Sequence, residues 1–248
     1  RILGIKKEFE SVGNLNGFYQ EYMNIAQSPD DSPFKPEWVQ LHHYDFERIN
    51  GQNCLVREVG DDKEIKPVDI YCGVDPASSL SARADFFVVA TIAVDNDNNK
   101  YVVDIYRNRI SPAEQPKVLI NTFKKYRPRR MKIETVGYQE ALRVAVRELM
   151  NEENIYIPGL ERGVKPRNSK SERLLSLVPM FARKLFYFRP EDIVPQQEFL
   201  SYPRGKHDDV MDAVWTALDG HKVCRLKEYD PDSIKKGPVK KVLDWMTM

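Results

Sequence analysis

Apolar positions fall in short continuous runs through the middle of the chain, separated by clusters of turn-forming residues. Residues 68–74, 85–94 and 100–107 are rich in β-branched and aromatic side chains, which is typical of buried strands. Segment 95–99 consists only of Asp and Asn and has the composition of a turn. We therefore expect three consecutive strands connected as hairpins.

Beyond residue 110 the pattern becomes an alternation of helices and strands. Ser111 supplies an N-cap, Pro112 a favourable first helical residue and Glu114 the acid of a capping box, so a helix should run to about Tyr126. The remaining patterns predict strands over 130–135, 154–158 and 185–188, and helices over 139–150, 171–183 and 208–218. This order indicates an α/β fold with a mixed β-sheet flanked by helices.

The segments outside this central region differ from it. Residues 1–66 are irregular in pattern but contain frequent aromatic side chains, so we interpret them as a linker or arm that packs against other structure. The main domain is expected over residues 67–226, and the Lys- and Pro-rich segment 227–248 is expected to be a C-terminal tail. The chain does not begin with methionine, and we expect it to be a piece of a longer polypeptide.

The composition narrows the class of protein. The 248 residues are 42% hydrophobic and 30% charged, which suits one large domain with an extension. No stretch approaches the roughly 18 apolar residues of a membrane span, and the start lacks the apolar core of a secretory signal. Three widely separated cysteines argue against a disulfide framework and favour a reducing cytoplasm.

Positive charge is concentrated locally although the formal net charge is only +1. Segments 121–132 and 162–173 are both rich in Lys and Arg, and such patches hold phosphate backbones even on a nearly neutral chain. The alternative for each segment is an ordinary solvated face. The candidate phosphate-binding residues are Arg127, Arg129, Arg130, Lys165, Arg167, Lys170 and Arg173.

Acidic residues occur where predicted elements end or begin. Asp75 follows the first strand, Glu134 ends the fourth strand, and Asp208, Asp209 and Asp212 open the last helix. Carboxylates at such positions can converge on one point, where they repel one another unless a cation lies among them. All-oxygen ligands suit a hard divalent metal, so the three groups together predict a metal site.

Each acidic group also has an ordinary structural explanation. Asp75 precedes Pro76 and could begin a turn, and Glu134 could pair with a neighbouring Lys or Arg. The helical acids could be a capping cluster, although Asp212 lies beyond the first turn and capping does not explain it. His207 could orient a carboxylate, contact a phosphate, or be a surface residue.

Several common enzyme sites are not visible in the sequence. There is no Gly-rich phosphate loop of the P-loop NTPases, no dinucleotide-binding glycine fingerprint after a strand, and no serine nucleophile elbow. The converging acids are therefore the candidate catalytic groups that the sequence offers.

These motifs resemble the nuclease domain of the large terminase subunit of tailed bacteriophages, a member of the ribonuclease H-like superfamily. The resemblance covers about residues 68–218, and segment 18–24 resembles the family's linker between ATPase and nuclease. The motifs that carry it are Gly73-Val74-Asp75-Pro76-Ala77, Ile133-Glu134-Thr135, Ser169-Lys170-Ser171-Glu172-Arg173 and His207-Asp208-Asp209-Val210-Met211-Asp212-Ala213.

The resemblance implies an endonuclease that hydrolyses double-stranded DNA during genome packaging, with two Mg²⁺ or Mn²⁺ ions. Asp75 would bridge the ions, Glu134 and Asp209 would complete their coordination, and Asp208 and Asp212 would support them. The basic residues and His207 would position DNA. Implied partners are an N-terminal packaging ATPase in the full-length protein, the portal and the small terminase subunit, in the host cell cytoplasm.

Two other functions are compatible with the same residues. The first is a Holliday-junction resolvase or transposase of the same superfamily, which usually acts as a stable dimer on structured DNA. The second is a DNA-binding or docking module that does not cleave. Retention of all the mutually repulsive acids argues against this second alternative.

Overall fold

A six-stranded mixed sheet with helices on both faces forms the centre of the fold. The computed structural model describes residues 4–5, 8, 32–77, 86–134, 139–160 and 168–223. The sheet has the order β1-β9-β7-β6-β5-β8, and a separate three-stranded sheet has the order β2-β3-β4. The strands are β1 Gln40–Leu41, β2 Asp45–Ile49, β3 Gln52–Val59, β4 Asp62–Pro67, β5 Asp69–Asp75, β6 Phe87–Val94, β7 Lys100–Asn108, β8 Arg130–Ile133 and β9 Phe186–Phe188. The helices are α1 Gln115–Tyr126, α2 Gln139–Glu152, α3 Lys170–Leu175, α4 Val178–Ala182, α5 Ile193–Ser201 and α6 Asp209–Leu218.

The strand directions confirm the predicted mixed sheet. Strands β5, β6 and β7 pair antiparallel as consecutive hairpins. Strand β8 then joins β5 in parallel, and β9 joins β7 in parallel. All eight residues of β6 are buried because helices cover both faces of the sheet, which explains its continuous apolar sequence.

Two cores lie on opposite faces of the sheet. On one face, α1 and α2 contribute Leu119, Phe123, Leu142 and Val146. On the other face, α3 to α6 bury Leu174, Phe181, Phe199, Met211 and Val214. The second face therefore carries the short helices near the C-terminal end of the described chain.

Helix α6 crosses the second face in direct contact with β5. A Cβ atom added at Gly73 would lie 2.0 Å from the carbonyl oxygen of Ala213 and 2.2 Å from the amide nitrogen of Ala217, so only glycine permits this approach. At the far end of the helix, Arg130 and Lys132 donate to the carbonyl oxygen of Asp219 at 2.7 Å each. These cations lie at the negative end of the helix dipole and stabilise it.

The region before β5 contains more regular structure than its sequence pattern indicated. Strand β1 pairs in parallel with β9 at one edge of the main sheet. Phe34 is only 1% exposed and packs edge-on against Phe181 and Phe199. The proposed division of the chain at residues 66 and 226 stays a prediction.

Two predicted elements are corrected where proline interrupts them. The predicted strand 154–158 is absent: Asn154 has a left-handed φ of +49°, and Pro158 has no N–H for a ladder. The Pro158 carbonyl accepts a hydrogen bond from the Met131 amide at 2.8 Å. The predicted helix 171–183 forms as α3 and α4 instead, because Pro179 has no N–H to bond the carbonyl of Leu175 and so cannot continue one helix through this point.

Two further differences concern helix boundaries and number. Helix α1 begins at Gln115 rather than at Pro112, because the Glu114 carboxylate accepts hydrogen bonds from both the amide and the hydroxyl of Ser111 and holds a preceding turn. Helix α5 was not predicted from the sequence.

Some expectations lie outside the described residues. They concern Lys165, Arg167, Cys224, the linker-like segment 18–24 and the tail 227–248. Among the described residues, Cys54 and Cys72 are free buried thiols. No helix in these ranges is long and apolar enough to cross a membrane.

Candidate active site

Asp75 ends β5, and Glu134 directly follows its parallel neighbour β8, so both acids lie at the same edge of the sheet. The register pairs Val74 with Ile133, so the next residue of each strand is one of the two acids. Side chains alternate between faces along a strand, and Gly73 contacts α6 while Lys132 bonds to its C-terminal end. Asp75 and Glu134 therefore lie on the α6 face of the sheet.

The N-terminal end of α6 brings three more carboxylates to this edge. Asp208 is the N-cap residue, and its side chain makes no capping hydrogen bond. Asp209 and Asp212 are each only 5% exposed. Buried carboxylates at a helix start gain from the helix dipole, but that gain is about 1 kcal/mol or less and does not offset burial of several charges.

Lys170 contacts two of the helical acids. Its ammonium lies 2.8 Å from Asp208 Oδ1 and 2.6 Å from Asp212 Oδ2. Burial acts to lower the pKa of Lys170, but the hydrogen bonds to Asp208 and Asp212 outweigh it and raise the pKa above the usual lysine value. Lys170 therefore remains charged among these acids.

Arg173 connects the strand acids to the helical acids. Its Nη1 donates to Glu134 Oε2 at 3.1 Å and lies 3.9 Å from Asp212 Oδ1. The guanidinium also lies over the Trp215 ring, with Cζ 4.7 Å from the centroid. The Arg173 side chain is 8% exposed, so its charge acts in a poorly solvated environment.

Arg107 and Glu198 also belong to the site, although sequence reasoning missed both. Glu198 Oε2 accepts a hydrogen bond from the Val210 amide at 2.9 Å and so satisfies one free donor of α6. Glu198 Oε1 forms an ion pair with Arg107 Nε at 3.2 Å without hydrogen-bond geometry. Arg107 Nη2 also lies 3.9 Å from Asp209 Oδ2.

His207 lies beside the same carboxylate. Its Nδ1 is 3.6 Å from Asp209 Oδ2, and its ring packs edge-on against Phe86. Phe86 also contacts the guanidiniums of Arg107 and Arg109, at 3.5 and 3.9 Å from the ring centroid. This wall of the site combines positive charge with an aromatic ring.

The basic run before β8 does not flank the acids as expected. Arg130 begins β8 opposite Tyr71, whereas Glu134 follows the other end of the strand. Arg129 donates to Asp69, at the start of β5, at 2.8 Å. Arg127 is the C-cap residue of α1. The structure therefore places these three arginines at the opposite edge of the sheet and does not bring them to the site.

The carboxylates perturb one another electrostatically. Burial raises the pKa of Asp75 well above its usual value, and the charges of Asp212 and Asp209 raise it further. Burial also raises the pKa of Asp212, against the opposing effect of Lys170. The pKa of Glu198 rises to about 7, chiefly through burial. Such clustering of raised pKa values is typical of functional sites.

The donor set fits a hard divalent cation. All the converging acids offer oxygen ligands, and Asp212 Oδ1 is buried without a hydrogen bond. Within the described ranges, no three His, Cys, Asp or Glu side chains already stand at the mutual spacing of a metal centre. In the observed arrangement, Lys170 and Arg173 contribute the nearby positive charge.

Comparisons with known proteins point to one family. Residues 72–219, more than half of the chain, match the family model described as Terminase RNaseH-like domain. No curated protein sequence matches the chain significantly.

Solved structures that the chain resembles include three phage proteins. The large terminase nuclease domain of Thermus phage P74-26 is 18% identical, with a TM-score of 0.48, and the match covers 75% of this chain and 94% of that one. The large terminase nuclease of thermophilic phage G20c with bound magnesium is 17% identical, with a TM-score of 0.47, covering 75% and 95%. A large terminase of a thermophilic bacteriophage in complex with ADP is 13% identical, with a TM-score of 0.42, covering 60% and 38%.

Proposed function

The chain belongs to the terminase RNaseH-like domain family, and on this premise we propose that it is a metal-dependent endonuclease that cuts double-stranded DNA as a viral genome is packaged. The observation that carries the proposal is the convergence of Asp75, Glu134 and the three acids of α6 at one sheet edge. Burial, and after it the charges of Asp212 and Asp209, raise the pKa of Asp75 well above its usual value. A structural cap or an isolated ion pair needs no such concentration of acids.

The carboxylates would hold two divalent ions, Mg²⁺ or Mn²⁺, and the bound metal would supply an activated water and stabilise the departing 3′-oxygen. Asp75, Glu134 and Asp209 are the proposed principal ligands, with Asp208 and Asp212 in support. Strand ends and a helix packed onto β5 hold these side chains on rigid elements, which suits precise ligand placement.

The surrounding side chains have supporting roles. Arg173 neutralises and orients Glu134, and Glu198 and Arg107 hold the start of α6 beside Asp209. Lys170, Arg173 and His207 would position the DNA backbone, which gives strong salt dependence and little sequence preference. Arg127, Arg129, Arg130, Lys165 and Arg167 remain proposed DNA contacts, the first three of them away from the acids.

The biological setting is proposed from family membership. The partners would be double-stranded DNA, a packaging ATPase domain N-terminal to this region, the portal and the small terminase subunit. The reaction would take place in the host cell cytoplasm.

Cleavage of supercoiled plasmid with Mg²⁺ or Mn²⁺ tests the proposal. We expect nicking and linearisation that disappear with EDTA and in Asp75→Asn. Asp69→Asn is the matched control, because Asp69 begins the same strand, pairs with Arg129 and lies at the opposite sheet edge. This control should retain cleavage.

Three results would count against the proposal or its assignment of Asp75. DNA binding without cleavage under either metal would favour the non-cleaving module. Preferential cutting of four-way junctions by a stable dimer would favour the resolvase or transposase. Equal loss of cleavage in Asp69→Asn and Asp75→Asn would show that β5 is only structurally sensitive and would remove the assignment of Asp75.

A further inference from the structure

Lys170 occupies the position of a counter-cation in the carboxylate cluster. Its ammonium contacts Asp208 and Asp212 together, at 2.8 and 2.6 Å. A carboxylate oxygen that accepts from an ammonium at this distance has a lone pair directed at it, which is then less available to a metal ion. Lys170 and a divalent ion would therefore satisfy the same oxygens.

The two cations of the site differ in how firmly they are held. The Arg173 side chain is 8% exposed, donates to Glu134 and stacks over Trp215. Lys170 is the first residue of α3, and its side chain is 49% exposed. The Lys170 ammonium can leave its carboxylates with little loss of free energy because its side chain is half exposed and flexible. The Arg173 guanidinium, buried and stacked on Trp215, cannot.

The backbone at Lys170 does not depend on its ion pairs. Ser169 and Glu172 form a reciprocal capping box at the start of α3, with Ser169 Oγ accepting from the Glu172 amide and Glu172 Oε2 accepting from the Ser169 amide. The helix start is therefore fixed by its neighbours, and the Lys170 side chain is free to change partners without loss of α3.

We infer that Lys170 is an internal competitor of the divalent metal: its ammonium neutralises Asp208 and Asp212 when no metal is bound, and it must leave them when metal binds. This inference rests on the proposed metal site. Its consequence is that Lys170 weakens metal binding, so the site fills only when the metal concentration exceeds what the carboxylates alone would require.

Direct binding of Mn²⁺ tests the inference without any measurement of activity. The electron paramagnetic resonance signal of free Mn²⁺ would be followed during titration of the whole chain, with calorimetry as a second readout. Lys170→Gln removes the charge and keeps most of the length, and we expect its dissociation constant to fall about three- to tenfold. Lys170→Arg keeps the charge and should bind within about twofold of the original chain.

Lys124→Gln is the matched control. Lys124 is similarly exposed, at 46%, and forms an ion pair with Glu153. This pair joins α1 to the end of α2, and these two helices cover the sheet face opposite α6. This variant should leave Mn²⁺ binding unchanged. Thermal unfolding without metal establishes that each variant is folded before titration.

The outcomes separate this inference from the proposed function. Tighter binding by Lys170→Gln, lost again in the double variant with Asp75→Asn, supports both. Unchanged or weaker binding by Lys170→Gln, with Asp75-dependent binding in the original chain, overturns the competition and leaves the metal site standing. Absence of Asp75-dependent binding in both Lys170→Gln and the original chain overturns both.

Discussion

Gly73 and Ala213 are in backbone contact: a Cβ atom on Gly73 would lie 2.0 Å from the Ala213 carbonyl oxygen. Asp75 lies two residues beyond Gly73 on the same face of β5, and Asp212 immediately precedes Ala213 in α6. The close approach of strand and helix therefore sets the spacing between the strand acids and the helical acids.

Gly73→Ala should separate these two elements. We expect a loss of about 1–3 kcal/mol or more in the free energy of unfolding, because the added methyl group meets backbone atoms that cannot rotate away. Cleavage should fall more than stability alone explains, since the carboxylates move apart. Urea denaturation and plasmid cleavage at a temperature where the variant is folded measure the two effects.

Gly60→Ala is the control for Gly73→Ala. Gly60 has a positive φ of +63° but no neighbour within 4 Å of an added Cβ atom. It should lose about 1 kcal/mol through backbone strain and keep full cleavage activity. Equal cleavage by the two folded variants would show that the contact at Gly73 does not set the site geometry.

Arg173→Met should destabilise the metal-free protein. The substitution leaves Glu134 and Asp212 without their buried cation, and loss of one partner from such a group costs about 3–5 kcal/mol. Saturating Mn²⁺ should restore part of this loss and stabilise the variant more than the original chain. Urea denaturation with and without Mn²⁺ measures the difference.

Arg173→Lys serves as the comparison in the same experiment. It retains the charge but loses the planar contact with Trp215, so its loss of stability should be smaller than that of Arg173→Met. If Mn²⁺ stabilises all three proteins equally, Arg173 does not share its carboxylates with the metal.

Glu198 should make stability depend on pH. Its folded-state pKa of about 7 lies above the usual 4.5, so its protonated form favours folding. This contribution is fully present below pH 4.5 and is lost as the pH rises through 7, by up to about 3 kcal/mol. Glu198→Gln keeps an acceptor for the Val210 amide and lacks the titration.

Denaturation of both proteins at several pH values between 4.5 and 8 isolates the contribution of Glu198 to the free energy of unfolding. The stability of the original chain relative to Glu198→Gln should fall as the pH rises over that range. A constant difference between them would show that Glu198 keeps an ordinary pKa in the folded protein.

Local sequence signals predicted the sheet because its strands are unusually apolar. Every residue of β6 is buried, and its sequence is a continuous run of Phe, Val, Ala, Thr and Ile, which favours a strand. The signals failed where one residue decided the outcome: Pro158 prevented a strand that the surrounding aliphatic residues favoured, and Pro179 divided a helix. Helix α5 has no clear apolar stripe, because Gln196 and Glu198 are buried along with Phe199.

The acids of the site were predictable because strand ends and a helix start expose their side chains in a known direction. Their charged neighbours were less accessible to the same reasoning. Arg107, near the end of β7, and Glu198, in α5, meet only through tertiary packing, and neither lies in a motif. The prediction for Arg127, Arg129 and Arg130 was wrong for a different reason. Their closeness to Glu134 in sequence suggested closeness in space, but β8 runs between them and places the arginines and Glu134 at opposite edges of the sheet.

The strand order of the main sheet also affects how readily copies of this domain would aggregate through their sheet edges. Its outermost strands are short, with two residues in β1 and four in β8, while the long strands β5, β6 and β7 are internal. At β8 the Met131 amide is already bonded to Pro158, whose own nitrogen has no hydrogen to offer an incoming strand. The edges of the main sheet therefore offer few free backbone groups for pairing with a strand of another chain, which disfavours edge-to-edge aggregation.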